Sequence, residues 1–170
     1  MAQQYIHHLA QDLVDRFGTR DPFAIAEALG AHVKIVDNFV SLKGMYRVIL
    51  GERYIFLSGN LDEKTRRIVC AHELGHDQLH RPLATSSIIQ EFMLYDMNSR
   101  PEYEANLFAA ALLLDDESVA ECAMEGCDVL QTSMQLDTDI NLVLIKMAQM
   151  NERGYRFNPQ PRSNTTFLKG

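Results

Sequence analysis

His72-Glu73-Leu74-Gly75-His76 is the stretch on which the reading of this 170-residue chain turns. On a helix the two histidines, four residues apart, lie on one face, one turn above the other. Both imidazoles can then reach a single metal ion. Glu73, next to the first histidine, is placed to act on water at that ion. The pattern needs a stable helix around it, a third ligand from another element, and a groove for substrate.

The flanking sequence predicts the helix. Asn60 reads as an N-cap, with Glu63 completing a capping box, and Asp62 and Glu63 suit the positive end of the helix dipole. From Leu61 no Gly or Pro interrupts until Gly75, which costs about 1 kcal/mol relative to alanine. Arg81-Pro82 closes the segment.

Upstream, Tyr5, Ile6, Leu9, Leu13, Val14 and Phe17 follow a helical rhythm, and Asp21-Pro22 opens a second helix that stops at Gly30. Residues 32–39, 42–50 and 54–57 read as three strands of an antiparallel meander, with a turn at Gly51-Glu52-Arg53. Gly44 inside the second strand marks either a bulge or a close approach of another backbone, such as a substrate strand added at the sheet edge. Downstream, residues 83–100 are mixed, with Ile88, Ile89, Phe92, Met93 and Leu94 as a short turn or flap. Pro101 opens an acidic, then strongly apolar helix to Leu114, and further helices follow to Gly154. The expected class is α+β: a small three-stranded antiparallel sheet on a mainly helical body with the H-E-x-x-H helix at its centre. Residues 1–154 form one domain and 155–170 an extended tail.

Zinc favours imidazole and carboxylate ligands, and a catalytic site uses three of them plus water. A metzincin would carry Gly and His three and six residues after His76; Leu79 and Pro82 stand there, so that class is excluded. His80 would make one helix span two turns, about 11 Å, and reads as a surface or supporting residue. The helix opened by Pro101 offers Glu102 and Glu104. Glu102 is preferred because Asn106, four residues on, shares its face and can hold a ligand histidine by its second nitrogen; Glu104 stays as the alternative. Tyr46 and Tyr103 are candidates for stabilising an oxyanion.

These motifs, with Glu102-x-Glu104-Ala105-Asn106-x-Phe108-Ala109-Ala110-x-Leu112-Leu113, resemble the ImmA/IrrE-type metallopeptidases over roughly residues 1–150. The resemblance implies a gluzincin-like, zincin-type fold with two histidines and a glutamate on Zn2+ and Glu73 as general base. It also implies a bacterial or mobile-element regulatory protease whose protein substrate is a partner such as a helix-turn-helix repressor. Where the family often places Met-Pro after the paired leucines, this chain has Leu114-Asp115.

Composition bounds the alternatives. A net charge of −7 argues against direct nucleic-acid binding, which weakens a helix-turn-helix reading of Val129 to Ala148. No apolar run approaches the roughly 18 residues of a membrane span, and the N-terminus has no signal-like core. Three cysteines without a C-x-x-C pattern suggest reduced thiols and a cytoplasmic setting. A zincin-fold module that binds its partner without efficient turnover is the competing function.

Overall fold

The computed structural model describes residues 2–86, 89–91 and 99–158. The chain begins with helices α1 (Ala2–Phe17) and α2 (Pro22–Ala28). Strand β1 (Ala31–Val36) is followed by a hairpin of β2 (Gly44–Ile49) and β3 (Glu52–Ser58). Next come α3 (Glu63–Leu79), α4 (Arg81–Ser86) and a short strand β4 (Ile89–Glu91). Helices α5 (Arg100–Leu113), α6 (Asp116–Met124), α7 (Val129–Gln135) and α8 (Ile140–Glu152) follow. The fold is α+β, as expected from the sequence.

The helix starts have local chemical causes. Asp21 accepts from the Phe23 amide ahead of Pro22, and Ser99 accepts from the Glu102 amide ahead of Pro101. Asp128 and Gln131 form a full capping box on α7. The cap of α3 is Asp62, which accepts from Thr65 N at 2.9 Å, and not Asn60. Asn60 donates instead to the Phe39 carbonyl at 2.8 Å, tying down the loop after β1.

The sheet corrects the expected meander. Its order is β1-β3-β2-β4, and β1 runs parallel to β3, from Ala31↔Arg53 to Val36↔Ser58. Parallel neighbours need a crossover of about a dozen residues or more; residues 37–51, β2 included, provide it. The β2–β3 hairpin turns on Leu50 and Gly51, both with positive φ (53° and 87°), which matches the right-handed twist of the flanking strands. Its register is continuous from Gly44↔Leu57 to Ile49↔Glu52, so Gly44 is not a bulge. The other edge of β2 pairs with β4, Gly44 opposite Glu91 and Tyr46 opposite Ile89.

Helix α3 is buried at ten consecutive positions, Ile68 to Asp77, because the sheet covers one side and α5 the other. A glycine allows the close approach on each side. A Cβ on Gly44 would lie 2.5 Å from Val69 Cγ1 and 2.6 Å from Glu73 Oε1. A Cβ on Gly75 would lie 3.2 Å from both Ala105 Cα and Phe108 Cδ1. The close approach at Gly44 is made not by another backbone but by the Val69 and Glu73 side chains of α3. Helix α5, buried from Ala105 to Leu112, has α1 and α8 packed on it in turn. Helix α8 buries Leu142, Val143, Ile145, Lys146, Met147, Gln149 and Met150.

Phe157 packs on the core, and its amide and carbonyl bond the Asn151 side chain at 2.7 and 2.9 Å. Residues 159–170 of the tail, and Ile88, Phe92, Met93 and Leu94 of the expected flap, lie outside the described residues. Cys70 and Cys122 are buried and Cys127 half-buried, all as free thiols. Among the described residues no helix is long and apolar enough to cross a membrane.

Candidate active site

The α3–α5 contact at Gly75 brings the first turn of α5 over the histidine face of α3. His72 Nε2 lies 3.0 Å from Glu102 Oε2 and 3.1 Å from His76 Nε2. His76 Nε2 lies 3.5 Å from Glu102 Oε1. The three residues present ligand atoms to one point, with both histidines buried and Glu102 half-buried.

These separations can be tested against a metal. A tetrahedral ion with bonds of about 2.0–2.1 Å holds its ligand atoms about 3.3 Å apart. The observed edges of 3.0, 3.1 and 3.5 Å match that figure. The donor set, two imidazoles and a carboxylate, suits zinc and related divalent ions. Burial holds the His76 imidazole down at about 4, against the upward pull of the adjacent Glu102 carboxylate, so the ring is a neutral ligand at pH 7. Burial alone would raise the Glu102 carboxyl. The imidazoles of His72 and then His76 against it outweigh that and hold it below the usual range.

The side chains around the cluster orient it. Asn106 Oδ1 lies 3.0 Å from His72 Nδ1. A carbonyl oxygen only accepts, so Nδ1 carries the proton and Nε2 turns its lone pair to the cluster. This is the bond expected from the i, i+4 spacing of Glu102 and Asn106. Glu104 turns away from the cluster: its Oε2 is 3.0 Å from His80 Nε2, and its Oε1 accepts from Arg100 Nε at 2.7 Å. Successive residues on a helix differ by about 100°, so Glu102 and Glu104 face different directions. Glu73 is fully buried, with its carboxylate against the backbone of β2 at Gly44.

Tyr46, weighed for the oxyanion, is fully buried, and its hydroxyl donates to Asp77 Oδ1 at 2.7 Å. Burial and then that bond to Asp77 push the phenol well above its usual range. Tyr103 accepts from Gln3 Nε2 at 2.9 Å. Asp77 had no place in the sequence reading. It is fully buried beside His76 and takes Arg53 Nη1 at 2.8 and 3.1 Å as well as Tyr46. It thereby joins α3 to β2 and β3. Its adjacency to the second histidine was the only signal for it in the chain.

Comparison with known proteins agrees with this geometry. Residues 26–132 match the IrrE N-terminal-like domain, a peptidase family. The chain is similar to immunity region protein 2 of Bacillus phage phi105, at 34% identity over 111 residues, covering 65% of this chain and 69% of that protein. It is also similar to metallopeptidase ImmA of Bacillus subtilis strain 168, at 24% identity over 116 residues, covering 68% and 67%. The matched span includes all three cluster residues and Glu73. With the fold, the clustered ligands and these relatives together, the chain belongs to the ImmA/IrrE-type metallopeptidase family.

Proposed function

We propose that this protein is a zinc-dependent endopeptidase of narrow specificity that cleaves a regulatory protein, such as a helix-turn-helix repressor. The observation that carries this reading is the convergence of His72, His76 and Glu102 on one point, with Glu73 on the same turn of α3. His72, His76 and Glu102 would hold the zinc ion, and a zinc ion in such a site supplies Lewis acidity that brings the pKa of water from 15.7 towards about 7. Glu73 takes the proton from the attacking water and delivers it to the leaving amine as the peptide bond breaks. Asn106 holds His72 in its metal-binding tautomer, and Asp77 fixes the helix turn that carries His76.

Narrow specificity is supported by the burial of His72, Glu73 and His76 and by the pairing of β4 along the β2 edge beside them. Both limit the ways a chain can reach the site. The choice of a regulatory substrate rests on the family resemblance and on a phage relative named for an immunity region.

The test is co-expression with the protein encoded beside it, followed by mass spectrometry for new termini. Wild type should cleave it. Glu73→Gln should lose about 10²–10⁴-fold in rate while keeping one zinc per chain. If Glu73→Gln cleaves like wild type, the general-base assignment is wrong. If wild type binds its partner and never cuts it, the protein is a binding module.

A further inference from the structure

His80 is buried, although it stands at the C-cap of α3 where an imidazole would ordinarily be solvated. Its two nitrogens are both engaged: Nδ1 lies 3.0 Å from His76 Nδ1, and Nε2 lies 3.0 Å from Glu104 Oε2. The line Glu104–His80–His76 therefore ends at the ring whose Nε2 faces Glu102 and His72.

Hydrogen-bond polarity propagates along this line. Glu104 presents a carboxylate oxygen, Oε2, to His80 Nε2 at 3.0 Å. A carboxylate only accepts, so the proton on His80 Nε2 points at Glu104. With its proton on Nε2, His80 turns the Nδ1 lone pair to His76. Two nitrogens 3.0 Å apart need one proton between them, and only His76 Nδ1 can supply it. With its proton on Nδ1, His76 has its lone pair on Nε2, where the ligand atoms meet.

We propose that His80 and Glu104 are positioning residues for the metal site: Glu104 fixes the tautomer of His80, and His80 presents the Nε2 lone pair of His76 to the zinc ion. This rests on reading His72, His76 and Glu102 as a zinc site. It gives each ligand histidine its own acceptor, Asn106 for His72 and His80 for His76. It also accounts for both acidic residues near the start of α5, Glu102 on the cluster and Glu104 behind it.

The test measures zinc affinity by competition with a chromophoric chelator. Partners behind a ligand histidine are typically worth 10–100-fold in metal affinity. His80→Phe keeps the ring volume and removes both polar atoms; it should bind Zn2+ about 10–100-fold more weakly than wild type. His80→Gln keeps an acceptor and a donor at similar separation and should recover to within about 3-fold. Glu104→Ala covers the case in which His80→Phe does not fold, and should weaken binding at least about 10-fold. Arg100→Ala, at a side chain 80% exposed, should change it little.

A second readout is independent of affinity. In zinc-loaded protein carrying 15N-histidine, long-range proton–nitrogen spectra should show the His80 proton on Nε2, and Glu104→Ala should lose that preference. If His80 is instead protonated on Nδ1, or if His80→Phe and Glu104→Ala both bind zinc like wild type, the positioning role is overturned. A wild-type protein that binds no stoichiometric zinc would overturn the metal reading itself, a separate result.

Discussion

Two buried polar clusters sit at the two ends of α5, and they are built on opposite plans. At its N-terminal end Glu102 meets two imidazoles, His72 and His76, at 3.0 and 3.5 Å. Beyond its C-terminal end Asp116 meets two cations, with Lys146 Nζ at 2.6 Å and Arg153 Nη2 at 3.0 Å, while His7 Nε2 accepts from Arg153 at 2.9 Å. The second cluster carries its own positive charge. The first is an assembly of lone pairs directed at one another, a costly arrangement unless a cation joins it. Burial alone does not mark a functional site. What distinguishes the two is whether the chain brings its own counter-charge.

The sharpest way to break this comparison is to remove the carboxylate of the self-contained cluster. Asp116→Ala strands Lys146, whose side chain is 1% exposed, next to Arg153. It should destabilise the fold by about 3–5 kcal/mol in urea unfolding and leave zinc stoichiometry unchanged. Adding Lys146→Met should restore much of the loss, since an apolar side chain tolerates that site better than an unpaired ammonium. A stability change of under about 1 kcal/mol in Asp116→Ala would mean the cluster behaves as a surface ion pair.

Chelation should do the converse. At zinc 1,000-fold above Kd, binding stabilises the folded state by about 4 kcal/mol. A chelator should therefore lower the unfolding temperature of wild type and of Asp116→Ala alike. In Glu102→Ala the same chelator should have little effect. If wild type unfolds identically with and without chelator, the first cluster is not a metal site.

Acid should act on the second cluster. Burial, and then the nearby Arg153, lower His7 from 6.5 to about 4, with Lys146 and His8 acting in the same direction and Asp116 opposing. Between pH 6.5 and about 4 the unfolded chain binds a proton on this ring that the folded protein does not. Stability falls as pH drops through that window and is unaffected by His7 above it. At pH 4.5 the loss should be about 2–3 kcal/mol relative to pH 7. It should be absent in His7→Gln once the two proteins' denaturation midpoints are subtracted.

The first cluster was far more legible in the sequence than the second, for a physical reason. His72, His76, Glu102 and Asn106 are related by helical spacing, and helical spacing is local information. His80 lies on the same i, i+4 series, yet its burial depends on Glu104 arriving from α5. Asp116, Lys146, Arg153 and His7 come from three helices and from the residue that ends α8, so no window of sequence holds them together. Lys146 gave one hint, a lone cation between Ile145 and Met147 in an apolar helix. The strands were placed to within a few residues, but the parallel pairing of β1 with β3 depends on which edge of the hairpin is free, which alternation along one strand does not encode. Asn60 reads as the cap of α3 in the sequence, but its side chain bonds the Phe39 carbonyl, and Asp62 caps the helix instead.

Gly44 is where the sheet and the first cluster meet, and it gives the finest test. Gly44→Ala places a methyl group 2.5 Å from Val69 Cγ1 and 2.6 Å from Glu73 Oε1. Real side-chain carbons do not approach so closely, so something must shift. Val69 is fully buried between sheet and helix, whereas the Glu73 carboxylate is the end of a flexible chain. The carboxylate should therefore yield first, with a stability cost of about 1–3 kcal/mol. The ligand atoms are held from the other side of α3, through Gly75, Asn106 and Glu102, and should keep their zinc affinity. The expected outcome is a split: zinc binding within about 3-fold of wild type, against a peptidase rate lowered toward that of Glu73→Gln. Equal losses of metal and rate would show that β2 positions the whole helix. An unchanged rate would show that the place of Glu73 is not set by the sheet at all.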